Sequence, residues 1–277
     1  AESRPVPIEG SVMRTEAGRL LAPGRPLEQA LAWAPVLLAM LFTAVTLMPE
    51  LRRVPSLNDD AFHFLLIQEA SAALSRGGNI FDFWSPVLEL GFPQFLYYQH
   101  LPHLFVVFLD RLLPGSDLLT TFNAVRYLLL VGFPVTVYWS LTQFGFSRPG
   151  AIVAAAMSPL FAGGFNYGFE YDSYIWRGFG MYTQLWAMHL SLASLALLVG
   201  FLEHGRRPLL TITAIAALIL SHLVYAYMTA IGALFLLLWG LRPVNARQRI
   251  VRFAVAWGVA ALVTAYVWLP FLSTRIY

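Results

Sequence analysis

Seven apolar runs, several of them about 20 residues long and almost free of charge, leave this chain few ways to fold. They lie at about 30–49, 122–142, 150–164, 179–202, 209–223, 224–240 and 252–273. A helix needs about 20 mostly apolar residues to cross the hydrocarbon core of a bilayer. Inside lipid, every backbone N–H and C=O must be satisfied within the protein, which a helix does by itself. Only 12% of the residues are charged and 58% are hydrophobic. A soluble domain carries about twice that charge, so a water-facing surface cannot be built from this composition. The pattern predicts an all-α, polytopic membrane protein with about seven transmembrane helices. Pro49, Pro134 and Pro270 fall in or at the ends of runs, where membrane helices tolerate them. The 8 Trp and 12 Tyr suit residues at the two membrane–water interfaces.

Charge then orients the chain. All 18 basic residues are arginine, and they punctuate the ends of apolar runs instead of forming a stripe, which argues against nucleic-acid binding. With no cysteine, disulfides, thiolate metal sites and cysteine nucleophiles are excluded. Arg14, Arg19 and Arg25 place the N-terminus in the cytoplasm by the positive-inside rule. Residues 1–28 read as a cytoplasmic tail without a signal-peptide core, and 29–277 as one transmembrane module. The run from Leu101 to Leu113 is short and carries Asp110 and Arg111. Laid in the interface, it leaves Arg148, Arg206, Arg207, Arg242, Arg247 and Arg249 all on the cytoplasmic side. A large first external loop, about 50–121, is then expected to hold interfacial helices. A second external loop covers about 163–178, the turn near Ser221–Tyr225 is external, and the chain reaches the outside near Tyr277.

The residues with chemistry lie on that external side. Leu57-Asn58-Asp59-Asp60-Ala61-Phe62-His63 opens an amphipathic helix expected to run to about Ser75. Asn58 or Asp59 can cap it, because a side-chain oxygen there accepts from free backbone N–H groups. Asp60 and His63, three apart, share a helix face. Carboxylates beside an imidazole at a membrane surface can bind a divalent cation through oxygen or deprotonate a hydroxyl. Further on, Phe95-Leu96-Tyr97-Tyr98 is an aromatic stretch suited to packing against lipid or a substrate chain. His100 and His103, also three apart, offer two imidazoles with no evident third metal ligand. In the second loop, Glu170, Asp172 and Arg177 can pair with one another. Alternatively, the two acids hold a cation or position an acceptor while the planar fork of Arg177 meets a phosphate. His222 stands at the external end of a run. His189 and His204 read as structural. Ionisable residues gathered at one face, and not in mid-span, argue against an ion pathway.

The order of these pieces resembles the GT-C superfamily of membrane glycosyltransferases: a cytoplasmic N-terminus, one span, a long external loop opening on an acidic motif, and a second acidic motif after the third span. Asp59-Asp60 match the first motif, and Glu170 with Asp172 the second. The stretch Asp60-Ala61-Phe62-His63, Gly77-Gly78-Asn79-Ile80, Trp84, Gly91-Phe92-Pro93, Phe95-Leu96-Tyr97-Tyr98 and Leu101-Pro102-His103-Leu104 is similar to a narrower group. These are bacterial integral membrane proteins described as "6-pyruvoyl-tetrahydropterin synthase-related, membrane domain", with YfhO-type proteins as relatives. Trp176-Arg177-Gly178 and Ser221-His222-Leu223 fit that group too. One departure is Gln68, where many members carry an arginine in the helix after the acidic motif.

The resemblance implies a bacterial inner-membrane glycosyltransferase with a polyprenyl-phosphate-linked sugar as donor and a lipid, glycan or protein outside the membrane as acceptor. Asp60, with Asp59, would be catalytic and deprotonate the acceptor hydroxyl. His63, His222, Tyr97, Tyr98 and Arg177 would bind substrate, with the tyrosines bordering the prenyl chain. Arg177 or a divalent cation (Mg or Mn) on Glu170 and Asp172 would meet the lipid-phosphate leaving group. The competing expectation is a non-catalytic GT-C-like subunit that packs into a larger membrane complex with other protein chains.

Overall fold

The computed structural model describes residues 26–52, 59–86, 91–113, 115–160, 182–239 and 244–273. Among them the chain is almost entirely helical, as its apolar periodicity requires. Helix α1, Pro26–Leu47, continues into a 3₁₀ turn, Met48–Arg52. Then come α2 (Asp59–Ser75), α3 (Gln94–Tyr97), α4 (Leu101–Leu112), α5 (Leu118–Gln143) and α6 (Arg148–Met157). The second half holds α7 (Tyr182–His204), α8 (Pro208–Ser221), α9 (Leu223–Trp239), α10 (Ala246–Val263) and α11 (Ala265–Ser273). The sole described sheet is a two-residue antiparallel pair, β1 (Trp84–Ser85) with β2 (Phe92–Pro93). Gly91 sits there at φ +97° with the Trp84 indole lying where a side chain would project.

Three helices are long and apolar enough to cross a membrane: Trp33–Arg52, Leu118–Gln143 and Tyr182–His204. Pro208–Ser221 and Leu223–Trp239 are apolar but shorter. In α10, Arg247, Arg249 and Arg252 crowd the first turns. The expected run 150–164 appears as α6 followed by a 3₁₀ turn, Ser158–Leu160.

The helix starts obey local chemistry. Asp117 caps α5, accepting from the Thr120 amide at 3.0 Å, and Ser147 caps α6. Pro102, Pro149 and Pro208 sit in the first turns of α4, α6 and α8, where a missing N–H costs nothing. Asp110 and Arg111, which interrupt the apolar run of α4, both have structural work. Asp110 Oδ1 accepts from Ser116 Oγ (2.9 Å) and Thr121 Oγ1 (3.0 Å), closing the turn into α5. Arg111 donates to the Ser75 hydroxyl and the Ser71 carbonyl, fastening α4 to α2.

Two cores result. One lies beneath the first loop, where Leu66, Ile67 and Ala70 of α2 meet Phe95, Leu104, Val107, Phe122 and Tyr182. The other joins α7 to α8, α9 and α10 through residues such as Leu198, Leu202, Ile215, Leu218, Ala233 and Ala256. Small residues at these contacts let helix backbones approach closely. Helix α5 packs on α7, α6 and α1, so it ties the halves together. Helices α5 and α7 run in the same direction: Arg126 and Tyr182, near their starts, belong to the region of the first loop, while Gln143 and Glu203, near their ends, meet at the far end.

Candidate functional site

The acidic motif opens α2, with Asp59 and Asp60 as its first two residues. Asp59 is half-buried, while Asp60 is turned inward and only 1% exposed. A carboxylate so enclosed needs a counter-charge, and Arg126 of α5 provides it. The Arg126 guanidinium contacts Asp60 Oδ2 through Nη1, and its Nη2 reaches Glu50 Oε2 and Asn123 Oδ1, each at 3.5 Å. Its cationic carbon also stands 5.5 Å from the Phe122 ring centroid, within cation–π range. One arginine thus joins the end of α1, the start of α2 and α5. Burial pushes the Asp60 carboxyl up, and the neighbouring guanidinium opposes that shift. Asp60 Oδ1 is buried and has no hydrogen-bond partner among the described residues.

One turn along α2, His63 joins a second cluster. Its Nδ1 lies 3.0 Å from His103 Nε2, so the two rings share one proton between them. Both imidazoles are buried, at 2% and 0% exposure. Desolvation holds His63 down at about 3, helped by the His222 imidazole nearby, and pushes His103 well below the ordinary histidine range. Burial thus disfavours a positive charge on either ring. Tyr98 and Tyr182 enclose the pair, with ring centroids 5.9–6.3 Å away. The Tyr182 hydroxyl donates to the Pro102 carbonyl at 2.9 Å and fixes the start of α7 over α4. Asp59 acts electrostatically on both Asp60 and Tyr98, and burial raises the Tyr98 phenol.

The two histidines of α4 face different partners despite their helical spacing. His103 meets His63, whereas His100 Nε2 lies 3.0 Å from the Tyr266 hydroxyl of α11. Burial holds His100 down at about 4. Tyr97 stacks against Phe92, 5.2 Å between centroids, in the aromatic surface that also exposes Phe81 and Trp84. His222 caps α8 without entering it, and its Nδ1 accepts from the Tyr225 amide at 3.3 Å.

Of the expected site residues, then, Asp59, Asp60, His63, Tyr98 and His222 gather at one end of the bundle, with Tyr97 at its aromatic margin. Glu170, Asp172 and Arg177 lie outside the described residues. Among those described, no three His, Asp or Glu side chains converge on a metal-sized site. His189 bonds to Thr136 Oγ1 (2.7 Å) and the Leu129 carbonyl (2.8 Å), joining α5 and α7.

Sequence reasoning missed Arg126, the partner of Asp60, and Glu50, the second carboxylate on that guanidinium. Arg126 had a signal, since a charge four residues into an apolar run is expensive unless it is paired. No protein-family model matches the chain, and no curated protein or solved structure is significantly similar to it.

Proposed function

We propose that the chain is a seven-span module of the bacterial inner membrane, with a cytoplasmic N-terminus, that transfers sugar from a polyprenyl-phosphate donor at the external face. One observation carries this reading: Arg126 holds one oxygen of Asp60, and the other, Oδ1, has no hydrogen-bond partner among the described residues. A general base needs a fixed orientation and a free lone pair, and this arrangement offers both. Asp60 Oδ1 takes the proton of the acceptor hydroxyl as that oxygen attacks the anomeric carbon. The bond from that carbon to the lipid phosphate breaks, and the phosphate leaves with the electron pair. Asp59, half-buried beside Tyr98, borders the acceptor's approach, and His63 and His222 stand behind it.

Arg126 is committed to Asp60 and Glu50, so the leaving phosphate requires another cation. Arg177, or a divalent ion on Glu170 and Asp172, fills that role in this reading, because charge developing on a leaving group must be stabilised where it forms. The exposed rings of Phe81, Trp84 and Phe92 offer an apolar border for the prenyl chain.

A second reading, a non-catalytic subunit of a membrane complex, is favoured by α9. Tyr227, Ile231, Phe235 and Trp239 recur every fourth residue and form an outward stripe, with the three aromatics 69%, 70% and 94% exposed. The enclosure of Asp60 also favours it. Transfer from labelled polyprenyl-phosphate sugars to endogenous acceptors in native membranes separates the two. Loss of transfer in Asp60→Asn at unchanged protein abundance supports the enzyme. Equal transfer in wild type and mutant, or none in either across several donors, supports the subunit.

A further inference from the structure

At the end of the bundle away from Asp60, a cavity of about 150 Å³ opens where α5 and α7 finish. We infer that it holds the phosphate of an anionic phospholipid headgroup, between Arg206, Arg207 and Gln143. By volume it has room for about five water-sized groups, at about 30 Å³ each, which suits a phosphate ester. The two guanidinium groups supply paired donors matched to phosphate oxygens, and Gln143 adds an amide. Neither arginine forms an ion pair among the described residues. The one carboxylate in the lining, Glu203, lies 3.9 Å from His204. The pocket is therefore net positive.

Its remaining wall decides between two sources of phosphate. Leu197 and Val199 line the same cavity, placing aliphatic surface directly beside the charges. A free phosphate gains nothing from that surface, whereas the glycerol and first methylenes of a lipid would cover it. Basic pockets between membrane helices recognise lipid headgroups in this way. The site is about 25 Å from Arg126 along α5, from 17 residues at 1.5 Å each, and shares no residue with the acidic cluster.

The backbone here supplies a clean test. Arg207 has φ +52° and is the only non-glycine residue with positive φ among those described. Glycine or asparagine would adopt that conformation at lower cost. Arg207→Gly therefore removes a charge without burdening the fold.

The full chain, purified in a neutral detergent, is titrated with phosphatidylglycerol, phosphatidylcholine or inorganic phosphate, followed by thermal melting and by mass spectrometry of the intact complex. The expected result is one retained phosphatidylglycerol per chain and a raised melting temperature, with no such response to phosphatidylcholine. Apparent affinity should fall at least tenfold in Arg206→Gln/Arg207→Gln and several-fold in Arg207→Gly, while the lipid-free melting temperature of Arg207→Gly stays at or above wild type. Arg148→Gln, at the same end but outside the pocket, should bind within about twofold of wild type. Undiminished retention by the double variant, equal loss in Arg148→Gln, or an equal response to phosphatidylcholine would overturn the site. A response to inorganic phosphate with phosphatidylglycerol inert would overturn the lipid and leave free phosphate as the ligand.

Discussion

Arginine serves opposite purposes at the two ends of this molecule. Near the acidic motif, Arg126 is buried and held between Asp60 and Glu50. At the far end, Arg206 and Arg207 are exposed, while Arg249 and Arg252 donate to the Leu236 and Leu202 carbonyls near the ends of α9 and α7. A cation there is favourable because the last carbonyls of a helix lack intrahelical donors and carry partial negative charge. The first end spends charge to fix three chain segments in register, and loses heavily if one member is removed. At the second end, Arg206 and Arg207 stand exposed at the rim, where loss of either charge should cost the fold little.

That contrast is open to direct attack. Arg126→Met should cost about 3–5 kcal/mol, because it strands buried carboxylates without a counter-ion, and Arg126→Lys should recover part of the loss. Unfolding in mixed micelles measures both, and a loss below about 1 kcal/mol would mean that the cluster is solvated. Acid should act next most strongly. His63 and His100 sit at about 3 and about 4 when folded, against an ordinary value near 6.5. Between those limits the unfolded chain binds more protons than the folded one, so stability rises with pH and is lost as pH falls below about 6.5. The slope from these two groups is expected to reach at most about 2.7 kcal/mol per pH unit, about 1.36 for each, and His63→Phe should roughly halve it. Tyr266→Phe should cost about 1 kcal/mol through the lost His100 bond, read in the same unfolding assay. At the far end, Arg206→Gln should change stability by less than about 0.5 kcal/mol. A cost comparable with that of Arg126→Met would erase the distinction between the two ends.

Much of this arrangement was legible in advance, and the failures share one cause. The long apolar runs, the helix after Asp59-Asp60, and the separate helix 101–113 with its polar interruption follow from periodicity and length, which are local properties. The partner of Asp60 is 66 residues away, and that of His63 is 40 residues away. Helical spacing even suggested pairing His100 with His103, but their rings diverge, because each is claimed by an element from elsewhere in the chain. Arg126 was hidden inside a run read for its hydrophobicity, where the one unusual residue carried the information. Likewise, Glu50 lies at the edge of the first span, where an acid looks like an ordinary boundary.

The His100–Tyr266 bond joins residues 166 positions apart. A chain made at about 5–20 residues per second exposes His100 for roughly 10–30 s before Tyr266 has been synthesised. Throughout that interval α11 is missing, and the first loop lacks one of its walls. The final shape of this early segment is therefore set only after α11, more than 160 residues further along the chain, has been made. Ribosome-arrested chains ending before residue 265 should accordingly leave this loop open to protease after α2, α4 and α5 have already come together.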